Sequence, residues 1–203
     1  MSDKEKATAR GGFFSSVLSY KPFRIALTTW IRRRHRLAAP EAFAYDHDNK
    51  IGNPLDNIYE ALRGSHEIQR TLCRRLVRIQ ADDPRAWETF KTLRTELAAH
   101  AAAEERFLYA QILFDDMGLK SSRHALAEHH DIDECVEALE EAREDAQAWS
   151  ALVKKLSHEV HHHLREEERK FFQLSGKILT EKQKVSLATK YQRDLVRMRQ
   201  VLA

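Results

Sequence analysis

Glycine, proline and cysteine are all scarce in this chain of 203 residues, which contains 6 Gly, 4 Pro and 2 Cys. Because so few residues favour turns, long uninterrupted stretches remain, and these favour an all-helical fold over a sheet. Cys73 and Cys135 form no CxxC pair and are too few for a disulfide framework, so we expect reduced thiols and a cytoplasmic location. No run of about 18 uncharged residues occurs, which argues against a transmembrane segment.

Positive charge is concentrated near the N-terminus. Residues 1–36 carry nine Lys or Arg against Asp3 and Glu5, a net charge of +7; the whole chain has +3, so the remainder carries −4. We therefore divide the chain into a basic extension with a linker, residues 1–50, and a helical domain, residues 51–203. No small-residue cleavage site indicates a secretory leader.

Residues 12–36 allow two interpretations. Their segment 23–31, FRIALTTWI, could form a short amphipathic helix that ends in basic residues. We favour a helix that docks on the rest of the protein with its basic end in water, and contact with an anionic membrane surface is the alternative. The basic residues are not interleaved with aromatic ones and no recognition motif occurs, so nothing here indicates nucleic-acid binding.

The rest of the chain has helical periodicity throughout, and capping residues mark its helix boundaries. Asp82-Asp83-Pro84 starts a helix with an acidic cap and a proline in the first turn, where its missing N–H costs nothing. Gly118 ends that stretch, and Ser121-Ser122 opens the next helix. Thr180 with Gln183 three residues later forms a capping box. The predicted helices cover approximately 55–80, 84–115, 121–145, 148–175 and 181–202.

An internal repeat appears when the sequence is shifted by 63 residues against itself, and the apolar positions follow the polar ones. The repeat indicates two equivalent αα-hairpins, packed as an antiparallel four-helix bundle with approximate two-fold symmetry and followed by a C-terminal helix. The shift places His66 on His129, His100 on His163, and Glu104-Glu105-Arg106 on Glu167-Glu168-Arg169.

The repeated polar residues fall on the apolar faces of their helices. Glu104 at position +4 from His100 shares one face with apolar residues at −10, −7, −3 and +8. The equivalent helix of the second hairpin repeats this pattern with His163 and Glu167. The two remaining histidines head similar apolar stripes on the other helices, so all six side chains are predicted to face the core.

Two carboxylates and four imidazoles on inward faces predict a metal centre. A buried carboxylate is costly unless it is paired or bound to a cation, and two close together repel each other. Histidine and carboxylate donors together suit iron, manganese or zinc. A single inward histidine is more often a hydrogen-bonded core residue. Two His-x-x-x-Glu pairs at a fixed offset, each with a histidine 34 residues upstream, are much harder to obtain by chance.

Neighbouring polar residues leave alternatives open. His162 with Glu166 is the same motif rotated by about 100° around the helix. His130 is an alternative ligand on the third helix. Glu105 and Glu168 would either orient ligand imidazoles from outside the centre or form solvated salt bridges.

These residues make the sequence similar to the hemerythrin/HHE cation-binding family over approximately residues 55–200. The stretches that carry the resemblance are SHEIQRTLCRRL, LAAHAAAEERFLY, AEHHDIDECVEAL and HHHLREEERKFF. The resemblance implies a centre of two iron ions with an oxo or hydroxo bridge, although manganese or zinc would suit the same donors. The ligands that it implies are His66, His100, Glu104, His129, His163 and Glu167.

The chain departs from the oxygen-carrying hemerythrins at Asp133. Those proteins have five histidines and two carboxylates, and Asp133 stands where they have a second histidine one turn after the ligand that corresponds to His129. The chain is more similar to bacterial HHE proteins and to the hemerythrin-like domain of an iron-sensing ubiquitin-ligase subunit, which argues against simple oxygen carriage. If both glutamates bridge and each iron takes two histidines, each iron keeps an open position.

Open positions would let the centre bind O2, nitric oxide or peroxide, and three interpretations follow. The first is a module that binds or senses such a molecule, or iron itself, and signals to a protein partner. The alternative is a di-iron enzyme that acts on peroxide or nitric oxide, or in iron–sulfur cluster repair, as the resemblance implies. The third is a metal-free helical scaffold with a hydrogen-bonded His/Glu core. The sequence assigns no general acid or base, so it leaves open whether the chain is an enzyme.

Overall fold

The computed structural model describes residues 57–203, and every element in this part of the chain is helical. The predicted extension 1–50, with the segment 12–36 considered for membrane contact, lies outside the described residues. The α-helices are α1 (Ile58–Arg78), α2 (Pro84–Glu104), α3 (Ala110–Ile112), α4 (Asp116–Glu141), α5 (Ala146–Glu166), α6 (Phe172–Ile178) and α7 (Glu181–Leu202).

Two π-helical segments of five residues each interrupt the longer helices. Segment π1 (Glu105–Tyr109) joins α2 to α3, and segment π2 (Glu167–Phe171) joins α5 to α6. The units α2–π1–α3 and α5–π2–α6 correspond to the second and fourth helices that the sequence predicts. The five predicted helices are therefore confirmed, with boundaries that differ by a few residues, except for the start of α4.

Side-chain caps fix where the helices begin. The side-chain oxygen of Asn57 accepts hydrogen bonds from two backbone N–H groups at the start of α1. Asp83 caps α2, with Pro84 in its first turn, and Thr180 and Gln183 form the predicted capping box of α7. Each cap satisfies backbone donors that the first turn of a helix leaves without partners.

Gly118 lies inside α4 rather than at the end of the preceding helix, so the predicted start at Ser121-Ser122 is wrong. Helix α4 begins at Asp116, after Asp115, whose carboxylate accepts a backbone N–H of the first turn. A Cβ atom at position 118 would overlap the side chain and the carbonyl oxygen of Ile112. The glycine therefore permits the start of α4 to approach the end of α3 closely.

The helices assemble as two hairpins with a fifth long helix against the first of them. Helix α1 packs on α2 and α5, and α4 packs on α5. Because short connections make successive helices antiparallel, α1, α2, α4 and α5 form the predicted four-helix bundle. Helix α7 packs along α1 and α2. None of the helices within residues 57–203 is long and apolar enough to cross a bilayer.

One buried apolar cluster joins the four helices of the bundle. Cys73 and Cys135 belong to it, and both are free thiols, as expected from the sequence. The apolar stripes predicted beside His100 and His163 are buried in this cluster, so the same helix faces carry the polar residues inward. The stripe members that belong to the cluster are those before each histidine, Phe90, Leu93 and Leu97 in α2 and Val153, Leu156 and Val160 in α5.

Candidate metal centre

The structure brings all six predicted ligand residues into the interior of the bundle. Each of them is at most 5% exposed. They form two groups that share Glu104, and within each group one ligand atom per residue lies within 4.8 Å of the others. The first group is His66, His100, Glu104 and Glu167, and the second is Glu104, His129 and His163.

All four imidazoles direct Nε2 toward the shared carboxylates or toward each other. The Nε2 atom of His66 lies 3.2 Å from Oε2 of Glu167, and that of His100 lies 3.2 Å from Oε2 of Glu104. The Nε2 atom of His129 lies 3.5 Å from the same oxygen of Glu104 and 3.1 Å from Nε2 of His163. Helices α1, α2, α4 and α5 thus each contribute one imidazole to a common centre.

The opposite ring nitrogen, Nδ1, faces outward and has a hydrogen-bond partner in every case. The Nδ1 atoms of His66 and His129 lie 2.8 Å from carboxylate oxygens, and that of His163 lies 3.0 Å from another. An ionised carboxylate only accepts, so Nδ1 donates in His66, His129 and His163, and Nε2 is the nitrogen that these rings offer to the centre. The four partners are Glu168 for His66, Tyr191 for His100, Glu105 for His129 and Glu128 for His163.

Two of these partners settle an alternative that the sequence left open. Glu105 and Glu168 orient imidazoles, and each does so across the bundle, on a histidine of the other hairpin. Glu168 also accepts a hydrogen bond from Arg70 at 2.9 Å, so it is held on both sides. The outer partners therefore hold the two hairpins together as well as fixing the rings.

The other two partners, Tyr191 and Glu128, were not found from the sequence. Tyr191 belongs to α7, outside the repeat, and its hydroxyl lies 2.8 Å from Nδ1 of His100. Glu128 precedes His129 and had no distinguishing signal beyond its charge. By the 63-residue shift Glu128 corresponds to Ser65, a shorter side chain, and Tyr191 supplies the partner that the first hairpin lacks.

Several buried atoms of the centre have no hydrogen-bond partner among the described residues. They are both carboxylate oxygens of Glu104, Oε2 of Glu167, and Nε2 of His66 and of His100. Buried polar atoms without partners are rare in proteins and costly. A cation among these atoms would satisfy all of them at once, because each has a lone pair when deprotonated. The chemistry of this donor set therefore fits a metal ion.

The two buried carboxyl groups influence each other's ionisation. Burial favours the protonated form of Glu104, but His100 and the neighbouring imidazoles outweigh it and hold its pKa well below the usual value. Burial and the charge of Glu104 raise the pKa of Glu167 to about 8. Tyr109 contacts the same group, because its fully buried hydroxyl donates to Oε1 of Glu167 at 3.2 Å. The protonated form of Glu167 is therefore favoured when no cation is bound.

The imidazoles divide into two neutral and two charged rings. Burial lowers the pKa of His100 to about 4 and also lowers the pKa of His163. Burial opposes the charged form of His66 and His129 too, but their carboxylate neighbours outweigh it and raise these pKa values to about 9 and about 10. When no cation is bound, the protons held by His66 and His129 therefore offset the negative charge of the buried carboxylates.

The two π-helical segments begin at the acidic residues of the centre. Segment π1 starts directly after Glu104, and π2 starts at Glu167. One carboxylate of each acidic pair, Glu104 and Glu167, points into the centre, and the next residue, Glu105 or Glu168, reaches a histidine on another helix. A π-helical turn inserts an extra residue and is frequent at functional sites. The wider turn lets consecutive carboxylates serve different rings.

A small pocket opens beside three of the four histidines. Asp133 lies on its wall, at the position where the sequence departs from oxygen-carrying hemerythrins, and burial raises the pKa of its carboxyl to about 6. The remaining wall contains the buried amide of Gln69 and apolar side chains. The residues that line the pocket are Gln69, Leu97, His100, Ala101, His129, Ile132, Asp133 and His163.

The alternative histidines lie outside the buried centre. The side chain of His130 is 35% exposed, and its Nε2 lies 3.3 Å from exposed Glu134. The side chain of His162 is 45% exposed and lies beside Glu128 rather than beside Glu104 or Glu167. The structure thus brings together His129 and His163 and places their neighbours at the surface.

Comparison with known protein families finds a match to one family. The family model described as "Hemerythrin HHE cation binding domain" matches residues 57–175, which is more than half of the chain. The matched range contains all six residues of the buried centre and ends before α7. No curated protein and no solved structure gives a significant match to the chain.

Proposed function

Because the chain belongs to the hemerythrin HHE cation-binding family, we propose that its buried centre holds two non-haem iron ions and binds or senses a small molecule. O2, nitric oxide and peroxide are the candidate molecules, and iron itself is a further one. Manganese or zinc would suit the same donors. A protein partner that receives the signal and a cytoplasmic location, where Cys73 and Cys135 stay reduced, belong to the same proposal.

The two groups of ligand atoms suggest how the residues would share the ions. His66 and His100 would serve one ion, and His129 and His163 the other. Glu104 belongs to both groups, so it would contact both ions, and Glu167 would complete the set. The four outer partners of the Nδ1 atoms would keep each Nε2 lone pair directed inward.

The observation that carries the proposal is the cluster of buried carboxylate and imidazole atoms without hydrogen-bond partners. Iron ions held by these six side chains would supply the Lewis-acid and redox chemistry with which a small molecule is bound. The chain's own contribution is to orient the donors and to exclude bulk water. The pocket beside His100, His129 and His163 offers a route by which a small molecule would approach.

Metal content tests the proposal directly. We expect about two irons per chain after anaerobic loading with Fe(II), together with the visible absorption of ferric non-haem iron after oxidation. Glu104→Gln should lose both ions, because Glu104 belongs to both groups. Glu134→Gln is the matched control, since Glu134 is exposed and contacts His130 outside the buried centre. Stoichiometric iron in Glu104→Gln, or none in the wild-type protein, would overturn the proposal.

A second candidate function is enzymatic action on peroxide or nitric oxide, or in iron–sulfur cluster repair. The buried Tyr109 hydroxyl favours it, because this group donates to Glu167 at the edge of the centre. Burial raises the pKa of Tyr109 well above its usual value, so the hydroxyl retains a proton that it can donate. Peroxide consumption by the iron-loaded protein, compared with Tyr109→Phe, tests the peroxide reaction. If the iron-loaded wild-type protein consumes peroxide no faster than buffer alone, the peroxide reaction is ruled out.

A further inference from the structure

A second group of histidines and glutamates lies on the outer side of helices α4 and α5. His124 and Glu128 are one turn apart on α4, and His162 and Glu166 are one turn apart on α5. Each pair therefore presents an imidazole and a carboxylate on the same side of its helix. Because α4 and α5 pack against each other, the two pairs meet at the surface of the second hairpin.

The distances within this outer cluster bring nitrogen and oxygen donors from both helices together. The Nε2 atom of His124 lies 3.4 Å from Oε2 of Glu166 and 3.6 Å from Oε1 of Glu128. The Nε2 atom of His162 lies 3.5 Å from the same oxygen of Glu128. One atom each from His124, Glu128 and Glu166 lies within 4.8 Å of the others.

One carboxylate oxygen of Glu128 is buried and has no hydrogen-bond partner. Its Oε2 accepts from Nδ1 of His163 at 3.0 Å. Its Oε1 is buried from solvent and accepts no hydrogen bond, although two imidazole nitrogens lie within 3.6 Å. A buried carboxylate oxygen without a partner is costly, and a cation between it and the two imidazoles would remove that cost.

The other acidic residue of the cluster also keeps an oxygen available. Lys170 contacts Oε1 of Glu166 at 2.5 Å, but the lysine side chain is 72% exposed, and Oε2 faces His124. Two imidazoles and two carboxylates form a donor set that suits zinc, which takes four nitrogen, sulfur or oxygen ligands in a tetrahedron. The exposed rings of His124 and His162 can turn to adjust the geometry.

We propose that His124, Glu128, His162 and Glu166 bind one divalent transition-metal ion, with zinc as the best match, at a site separate from the inner centre. The outer site does not depend on which metal the inner centre holds. The two sites share one residue, because Glu128 also orients His163. An ion in the outer site would therefore be linked to His163 of the inner centre through the Glu128 carboxylate.

Zinc binding by the full chain and two surface variants tests the outer site. The metal-free protein is dialysed against Zn²⁺ over a range of concentrations, and bound zinc is counted per chain. We expect His124→Ala and Glu166→Gln to bind one zinc ion fewer than the wild type, or to bind it at least about tenfold more weakly, since even residues that only orient a ligand contribute that much. His130→Ala is the matched control, because it removes a half-buried histidine that also contacts a glutamate on α4.

Glu104→Gln separates failure of the outer site from failure of the inner one. This variant should lose zinc from the inner centre and keep the ion that His124→Ala loses. Equal zinc stoichiometry and affinity in the wild type and His124→Ala would overturn the outer site, whatever Glu104→Gln does. An equal loss in His130→Ala would also overturn it, because the effect would then not belong to this cluster. Full zinc binding in Glu104→Gln would count against the inner centre alone.

Discussion

The centre is defined, at the scale of single residues, by how each imidazole uses its two nitrogens. Nδ1 of each ring has a partner outside the centre, and Nε2 points inward. This division fixes the orientation of each ring before any ion binds. The buried carboxylates of Glu104 and Glu167 then face the Nε2 atoms of the histidines. Burial of these facing acceptors is costly unless a proton or a metal ion lies between them.

Glu168 tests whether these outer partners matter for metal binding. Its hydrogen bond with His66 lowers the pKa of the Glu168 carboxyl to about 2, so it is a charged acceptor throughout the physiological range. We expect Glu168→Gln to weaken metal affinity about 10- to 100-fold, because the amide loses the charge that orients His66. Competition with a chromophoric chelator measures the change. Glu67→Gln, which alters another contact of Arg70 at the surface, should leave the affinity unchanged.

A second prediction concerns pH. The pKa values of His66, His129 and Glu167 are raised to about 9, about 10 and about 8, so a ligand of this centre still carries a proton at pH 7 when no metal is bound. A ligand must lose that proton, so metal affinity should rise as pH increases from 7 toward 9 and fall as pH decreases. Histidines of ordinary pKa would show such a dependence only below about pH 6.5.

Calorimetry provides the measurement for this pH dependence. Anaerobic Fe(II) titrations at pH 7 in two buffers of different ionisation enthalpy should give different apparent enthalpies, because released protons are taken up by the buffer. Identical enthalpies in both buffers would contradict the proton release, and with it the protonated states of the metal-free centre.

At the scale of elements, the two hairpins are similar but not identical. The π-helical segments occur in both and begin at or directly after an acidic residue of the centre. Glu128 in the second hairpin corresponds to Ser65 in the first, and helix α7 supplies Tyr191 to the first hairpin instead. Helix α7 is therefore part of the site, although it lies outside the range that the family model matches.

The contact between α3 and α4 gives a prediction about stability. Gly118→Ala should lower the free energy of unfolding by about 1–3 kcal/mol, because the added methyl group would overlap Ile112 in a closely packed contact. Gly64→Ala is the matched control, since Gly64 is exposed in α1 and a Cβ there meets nothing within 4 Å. Gly64→Ala should raise the free energy of unfolding by about 0.5–1 kcal/mol through helix propensity. Urea unfolding measures both, and equal shifts in the two variants would contradict the close contact.

At the scale of the whole molecule, one buried polar centre connects all four helices of the bundle. A metal ion that binds only the folded protein stabilises it by mass action, by about 2.7 kcal/mol when free metal is about 100 times the Kd. We therefore expect the loaded protein to unfold at a higher temperature than the protein treated with a chelator. Glu104→Gln should show no such difference. Equal unfolding temperatures for loaded and metal-free wild type would contradict metal binding inside the bundle.

The sequence by itself determined the helices, the repeat and the six residues that share inward faces. Helical periodicity and capping depend on neighbours within one or two turns, so they can be read along the chain. Its one wrong boundary, at Gly118, has a different cause, because that glycine serves a contact with Ile112 and does not end a helix.

Only the tertiary structure decided which nitrogen of each ring faces inward and which residues hold it there. Tyr191 and His100 are 91 residues apart, and Glu168 and His66 are 102 apart. Such partners depend on how distant helices pack, which local periodicity does not encode. For the same reason the sequence could treat His162 and Glu166 only as an alternative inner pair. The packing of α4 on α5 brings them to His124 and Glu128 at the surface instead.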